Sequence, residues 1–259
     1  MISDGVHSLS DVFATLVVII GIKISRKKPD KKHQYGHERY ECITSILQSV
    51  IIFLTGLFIG YNGIITIIKK NYITMTIPGF ELIFISLICI ITKELTFKYI
   101  KNIAQKNNSS ALMADAWHHR ADELSSIGVF IGIFGSIIGI KILEPISCIA
   151  IALLIMKSAV DIWHDSVDKM VDCSVSEEVE KNIRNIINNQ KDVHKIDDLK
   201  TRLFGSKIYI DLEISVDSNI SLKKAHQIVH NVHDEVEAKI KECKHCMIHV
   251  NPDIEKSSN

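Results

Sequence analysis

Five apolar runs occupy the chain up to about residue 163, and they constrain its fold more than any other feature. A helix of roughly 20 apolar residues crosses about 30 Å of hydrocarbon, so each run is long enough to span a bilayer. The rest of the chain is mostly charged and polar. We therefore expect an α-helical membrane bundle in residues 1–168 and a soluble domain in residues 169–259. The predicted spans are Ile2–Ile24, Ile43–Ile68, Ile77–Tyr99, Ala111–Ile138 and Ile142–Trp163.

Basic residues between the spans predict the orientation of the bundle. Lysine and arginine are enriched in loops that stay in the cytoplasm, and here they follow the first and third spans. The soluble domain is then cytoplasmic too, and we expect a multi-pass protein of the plasma or inner membrane. A formal net charge of +0 says nothing by itself about a nucleic-acid partner, and we expect none. The basic residues are Arg26, Lys27, Lys28, Lys31 and Lys32 after the first span, and Lys98, Lys101 and Lys106 after the third.

Two spans carry a histidine and an aspartate four residues apart: His7 with Asp11, and His118 with Asp122. On a helix this spacing places both side chains on one face. Ionisable groups inside a membrane are functional by default. If the two helices face each other, two imidazoles and two carboxylates can hold one divalent ion in a locally neutral cluster. The helical rise places all four near the middle of the bilayer, where transporters bind their substrates.

Three segments carry a family resemblance: Asp4-Gly-Val-His-Ser-Leu-Ser-Asp11, His33-Gln-Tyr-Gly-His37-Glu-Arg-Tyr-Glu41 and Ala114-Asp-Ala-Trp-His118-His-Arg-Ala-Asp122. Together they resemble the signature segments of the cation diffusion facilitator family of metal/proton antiporters, in the family's order. The resemblance covers nearly the whole chain and implies efflux of divalent transition-metal cations in exchange for protons. The family usually has six spanning helices, and the first is missing here. We therefore expect a natural start upstream of Met1, a truncated member or a five-span variant.

The expected ion is Zn2+, which we predict to be the transported ion and a candidate regulatory ion. A set of two histidines and two aspartates suits Zn2+, which accepts imidazole and carboxylate together. The harder Mn2+ would prefer oxygen ligands, and Fe2+, Co2+, Cd2+ and Ni2+ are further candidates. Histidine ligands lose a proton when they bind metal, and a free imidazole titrates near pH 6.5, so an acidic exterior would release the ion.

Two other functions compete with transport, although the resemblance implies no enzyme. The missing helix is compatible with a transport-inactive subunit that senses metal or regulates a related transporter. A membrane-embedded metallohydrolase would need a zinc-binding motif such as His-Glu-x-x-His. The segment His37-Glu-Arg-Tyr-Glu41 approaches that motif but ends in glutamate, so we favour transport.

The resemblance also assigns residues near the cytoplasmic face. Asp30, His33 and His37 resemble the family's second, more exposed metal site, although a polar loop with two histidines is often only a loop. Arg39 and Asp172 resemble a charge pair at the base of the bundle, against the alternative of two interfacial charges that do not touch.

Two further features of the spans concern their packing. Gly56 and Gly60 are spaced to let helices approach closely. Lys93 and Glu94, near the inner end of the third span, can reach the interface by snorkelling.

The soluble domain reads as α-β-β-α-β, with the helices on one side of a small sheet. We predict a helix opened by a capping box of Ser174 and Glu177, strands at 193–203 and 207–216, a helix from Ser221 to Lys241 and a last strand at 247–251. Gly205 begins the turn between the first two strands. This order resembles the family's ferredoxin-like cytoplasmic domain, through which two protomers form a homodimer.

The cytoplasmic domain of the family often binds metal between protomers. Carried over position by position, its ligands here are Asp197, Asp211, His226 and His249, while Asn251 stands where an acidic ligand is common. His230 and His233 lie outside the pattern and read as solvated surface. A separate segment, Cys243-Lys-His-Cys246 with the nearby His249, is spaced to bind zinc or copper, against the alternative of a plain helix end.

Overall fold

The chain folds into two compact units, Met1–Val167 and Asp168–Asn259. The structure is a computed structural model that describes residues 2–73 and 81–253, with side chains described for 14–73 and 83–253. The first unit is helical, and the second combines two helices with a sheet of three strands. This architecture confirms the predicted fold class, a helical bundle followed by a small α+β domain.

A long helix lies at the position of each of the five predicted spans within the described residues. They are α1 (Ile2–Ser25), α2 (Tyr40–Ile68), α3 (Glu81–Lys106), α4 (Ser110–Ile137) and α5 (Leu143–Met170), with a short 3-10 turn at Asn71–Ile73. The predicted start of the third span, at Ile77, lies outside the described residues.

Only α2 and α5, among the described helices, are long and apolar enough to cross a membrane by length and composition. Helices α3 and α4 each carry several charged residues along their length, and the part of α1 whose side chains are described, Ala14–Ser25, is apolar but shorter. Large apolar side chains nevertheless point outward on several helices, including Phe58, Leu95 and Leu153. Such an exterior is expected of a bundle that packs through small residues and faces lipid.

Helix α2 packs against α5 through glycine. A Cβ atom added at Gly56 would lie 2.9 Å from Met156 Cγ, and one added at Gly60 would lie 3.1 Å from Ala152 Cβ. The helices therefore approach more closely there than a larger residue would allow, as the glycine spacing predicted.

The second unit has the predicted order: α6 (Glu177–Asn188), β1 (Lys195–Phe204), β2 (Lys207–Asp217), α7 (Leu222–Lys239) and β3 (Cys243–Asp253). Strand β2 lies in the middle, antiparallel to β1 and parallel to β3. Gly205, with φ of 63°, allows the tight turn between β1 and β2.

Two local details differ from the prediction. The N-cap of α6 is Ser176, and the hydroxyl of Ser174 donates to Val175 O instead, so the predicted capping box is wrong. Strand β3 begins at Cys243 because its pairing with β2 already starts at Ile208. Cross-strand hydrogen bonds, which a local sequence pattern does not reveal, decide that boundary.

Alternation along β2 separates the core from the opposite face of the sheet. The inward residues Ile208, Ile210, Leu212, Ile214 and Val216 are buried against α6 and α7. Each fully buried side chain of this kind contributes roughly 1.5–3 kcal/mol. The intervening residues of β2 lie on the opposite side of the sheet, which we call the outer face.

Candidate metal sites

Asp30, His33 and His37 come together in the loop between α1 and α2. One ligand atom from each residue lies within 4.8 Å of the other two, the only such group of three metal-binding side chains in the described part of the chain. His33 Nδ1 lies 3.4 Å from Asp30 Oδ1, and His37 Nε2 lies 3.4 Å from Asp30 Oδ2. The two imidazole centroids are 4.5 Å apart. Three donors are thus close enough to share one ion.

The backbone of the loop holds the Asp30 carboxylate in place. The N–H groups of His33 and Lys32 donate to Asp30 Oδ1 at 2.6 and 2.9 Å. The His33 N–H is the main cause that lowers the pKa of Asp30, and the two imidazoles act in the same direction. Gly36, with φ of 105°, turns the chain toward the buried His37. Asp30 therefore stays ionised at neutral pH, ready to accept a cation.

Helix α4 places His118 and Asp122 inside the helical unit. His118 is buried, with 5% of its surface exposed, and Asp122 is half-buried one turn further on. The Ser109 hydroxyl caps the helix by accepting from Leu112 N–H, and it donates to the buried Glu41 carboxylate at the start of α2. Helix α1 packs against α4. The side chains of His7 and Asp11 lie outside the described ones, so the four-residue transport site stays a prediction.

Asp115 is a buried carboxylate that the sequence interpretation gave no role. It precedes His118 by three residues, so the two side chains are neighbours on one side of α4. Only 8% of Asp115 is exposed, and its Oδ1 atom has no hydrogen-bond partner among the described residues. Its Oδ2 atom lies 4.0 Å from His119 Nε2. The spacing from His118 was the signal that could have identified it.

Polar groups on α2 share this interior. Ser45 and Gln48 are fully buried, and Gln48 Nε2 donates to the Ala14 carbonyl of α1 at 3.2 Å. The Ser45 hydroxyl and Gln48 Oε1 have no hydrogen-bond partner in the described part of the chain. Because an unpaired polar atom is costly to bury, these atoms distinguish this part of the interior from ordinary apolar packing.

An ionic network joins α3 to α4. The Arg120 guanidinium donates to Glu123 at 2.7 Å and to Glu94, whose carboxylate also pairs with Lys98 at 2.8 Å. Glu123 is almost fully buried. Arg120 lies about 160° around α4 from Asp122 at 3.6 residues per turn, so this network braces the side of α4 away from the predicted ligands.

Lys93 binds the same helix beside the predicted ligands. Its Nζ atom donates to the Asp122 carbonyl at 3.1 Å and to Ser126 Oγ at 3.0 Å. The prediction that Lys93 and Glu94 snorkel to the interface is therefore wrong. Both head groups have partners on α4, which satisfy them inside the protein.

The predicted ligands of the cytoplasmic domain do not meet within one protomer. Asp211 and His249 lie on the outer face of the sheet, whereas His226 lies on α7, which packs on the opposite side. Glu213, which the sequence interpretation missed, pairs with His249 in the β2–β3 register. A site shared between two protomers stays a prediction.

Asp197 has local partners on the outer face. Its Oδ2 atom accepts from Ser215 Oγ at 2.5 Å and from Asn251 Nδ2 at 3.2 Å. The Ser215 hydroxyl is the main cause that lowers the pKa of Asp197. Asn251 therefore occupies the position where the family often has an acidic ligand, and there it stabilises the neighbouring Asp197 carboxylate.

The structure argues against a metal site at Cys243 and Cys246. Both residues begin β3, so the alternative of a helix end is also wrong. Cys246 lies in the hydrophobic core, where burial raises the pKa of its thiol to about 12, and burial also raises the pKa of Cys243. A thiol binds metal as the thiolate, which burial disfavours. His249 also lies on the other face of the sheet.

Comparisons with known proteins cover both units. Residues 1–171 match the family model described as cation efflux transmembrane domain, and residues 175–253 match that of the cation efflux protein cytoplasmic domain (ZT_dimer). The uncharacterized transporter MJ0449 of Methanocaldococcus jannaschii is 34% identical over 96% of this chain and 87% of its own length. The manganese efflux system protein MneP of Bacillus subtilis is 29% identical over 98% and 86%. A nickel form of the MamM CTD is 24% identical, covers 30% of this chain and 100% of its own, and has a TM-score of 0.30.

These matches fix the class and location of the protein. A transmembrane domain followed by a cytoplasmic domain makes it membrane-embedded, with its C-terminal unit in the cytoplasm, as the basic loops predicted. The matched family consists of transporters, which sets aside the metallohydrolase. The chain belongs to the cation diffusion facilitator family, whose members export divalent metal cations.

Proposed function

We propose that this protein exports Zn2+ from the cytoplasm in exchange for protons. The observation that carries the proposal is the loop cluster of Asp30, His33 and His37, whose ligand atoms lie within 4.8 Å of one another. Two imidazoles and one carboxylate form a donor set that suits a borderline ion such as Zn2+. Its cytoplasmic position is suited to collecting the ion before transport.

The transport step itself is assigned to His7, Asp11, His118 and Asp122. The burial of His118 supports this assignment, because ionisable residues that face the interior of a membrane bundle mark substrate or ion pathways. The carboxylates neutralise the ion, and the histidines supply the coupling, since each must lose a proton to bind metal and can regain one when the ion leaves. Proton entry from an acidic exterior would then drive metal release.

Mn2+ is the second candidate. Two relatives from Bacillus subtilis, MneP and MneS, are manganese efflux system proteins and are each 29% identical to this chain. Asp115, buried next to His118, adds an oxygen donor that a harder ion would favour. Competition between the two ions during transport separates these candidates.

The two parts of the chain are assigned different tasks. Residues 1–168 carry the transport path, and residues 169–259 form the homodimer and a metal-binding site that can regulate it. The name of the matched cytoplasmic model, ZT_dimer, supports the homodimer. Metal binding by Asp197, Asp211, His226 and His249 would then require ligands from both protomers. The Arg39–Asp172 charge pair remains a prediction.

Metal flux in reconstituted vesicles tests the proposal. The protein is placed in liposomes with a zinc-sensitive dye inside and a pH gradient across the membrane, and the variant Asp122→Ala serves as the control. When the interior of the liposomes is the more acidic side, we expect Zn2+ to enter while protons leave. When the gradient is reversed, zinc entry should slow. Zinc flux that ignores the gradient would contradict antiport, stronger flux of Mn2+ than of Zn2+ would favour the second candidate, and no flux of either ion would favour a regulatory subunit.

A further inference from the structure

Helix α7 carries a stripe of potential metal ligands on its solvent side. His226, His230, His233 and Glu237 are spaced by four, three and four residues, which places them along one face of the helix. The buried residues of α7 point the other way, into the core: Ala225, Ile228, Val232 and Val236. The stripe is therefore accessible from the cytoplasm and takes no part in holding the unit together.

The first two histidines are already in contact. The ring centroids of His226 and His230 lie 4.7 Å apart, with the ring planes perpendicular. Both residues are exposed, so either ring can turn without disturbing the core. Zn2+ binds imidazole nitrogen at about 2.0–2.1 Å, so two rings on adjacent turns can reach the same ion.

The next pair along the stripe is engaged differently. His233 Nε2 lies 3.4 Å from Glu237 Oε1, and His233 Nδ1 lies 3.4 Å from Asp234 Oδ1. Carboxylates thus orient His233, whereas the rings of His226 and His230 contact each other. These contacts distinguish the first pair as the nitrogen-only chelate of the helix.

We propose that His226 and His230 form a two-histidine chelate for a borderline divalent metal ion, of the class of Zn2+, Ni2+ and Cu2+. Two protein ligands leave further coordination positions for water, so the site is open and suited to reversible capture on the cytoplasmic surface. It differs from the predicted set that joins His226 to His249, because the latter lies on the other side of the sheet. Nitrogen ligands disfavour hard ions such as Mn2+ and Mg2+.

The probe for this site is Cu2+ bound to iminodiacetate, which needs two further ligands and reports nitrogen coordination by electron paramagnetic resonance. The full-length protein in detergent is titrated in a background in which His33→Ala and His37→Ala remove the loop ligands. The buried His118 is shielded from so bulky a complex. We expect a spectrum with two coordinated imidazole nitrogens in addition to the amine nitrogen of iminodiacetate, and His230→Gln should weaken binding by at least about tenfold because the second ligand acts at high effective concentration.

Spacing provides the decisive control. The double variant His230→Asn with Asn231→His keeps the number of histidines but moves the second ring about 100° around the helix, and it should bind as weakly as His230→Gln. His233→Gln should bind like the parent. Equal binding by the spacing variant and the parent would overturn the chelate.

Competition identifies the class of ion. Zn2+ should displace the copper complex at a concentration at least about tenfold below that needed with Mn2+. Equal displacement by the two ions would overturn the proposed preference for borderline metals.

Discussion

At the scale of single residues, the loop site divides its work between Asp30 and the two histidines. The His33 N–H lowers the pKa of Asp30, so this carboxylate keeps its charge as the pH falls through the range in which histidines gain protons. Loss of metal on mild acidification would then come from the imidazoles, and loss of the carboxylate would matter only at a lower pH.

Replacing Asp30 separates these contributions. We expect Asp30→Asn to lower zinc affinity at the loop by about tenfold or more at pH 7, because a charged ligand becomes neutral. Affinity should still fall as the pH drops from 7 to 5, since the imidazoles gain protons in that window and Asp30 does not. Zinc titrations of the full-length protein at several pH values measure both quantities, and an affinity that no longer falls with pH in the variant would show that Asp30 itself supplies the pH dependence.

Asp122 tests the predicted transport site. Its replacement by alanine should reduce flux by about 100-fold or more, because the transported cation would lose one charged ligand of its predicted site. The exposed Asp192→Ala provides a matched control and should transport normally. Flux and membrane content are measured together, and normal flux from Asp122→Ala would contradict the site.

At the scale of elements, α4 has two sides with different partners. Ala114 and Ala121 pack in an apolar cluster with Ile52 and residues of α5, and His118 lies about one turn from each alanine on the same side. The opposite side carries the Arg120 network toward α3. The helix that carries the predicted ligands is thus held from both sides.

The α3–α4 network predicts energetic coupling between its members. Arg120→Ala should destabilise the protein, because Glu123 would stay buried without its cation. Adding Glu123→Gln should recover part of the loss, giving a coupling free energy within about 0.5–3 kcal/mol. Thermal unfolding in detergent measures the three variants, and strictly additive effects would show that the contact contributes nothing.

At the scale of the whole molecule, the cytoplasmic unit has helices on only one side of its sheet within the described residues. Helices α6 and α7 cover the inner side, and the outer face carries an apolar residue, Met247, with 58% of its surface exposed. A small domain with an uncovered sheet face can bury it against a second copy.

A charge on the outer face should therefore weaken the homodimer. We expect Met247→Asp to raise the dissociation constant by about tenfold or more, because a carboxylate would be buried without a partner. Leu222→Asp places the same charge on a residue that is 84% exposed at the start of α7, and it should leave the dimer intact. Light scattering after size exclusion measures the mass, and equal behaviour of the two variants would place the interface elsewhere.

The sequence by itself determined the features that depend on local periodicity. Apolar runs predicted the helices of the first unit, alternation predicted β2, and the order of motifs identified the family. The four-residue spacing of His118 and Asp122 likewise predicts, from helical geometry alone, that their side chains share one face of α4. These properties need only neighbouring residues, so a single chain displays them.

Only the tertiary structure decided the features that join distant elements. It closed the loop so that Asp30 meets two histidines, and it gave Lys93 and Glu94 partners on α4. It also started β3 at Cys243 and separated His226 from His249 by the thickness of the sheet. Each outcome depends on contacts between different elements of the structure. Packing and hydrogen bonding between these elements set the geometry of those contacts, so a local sequence pattern cannot predict it.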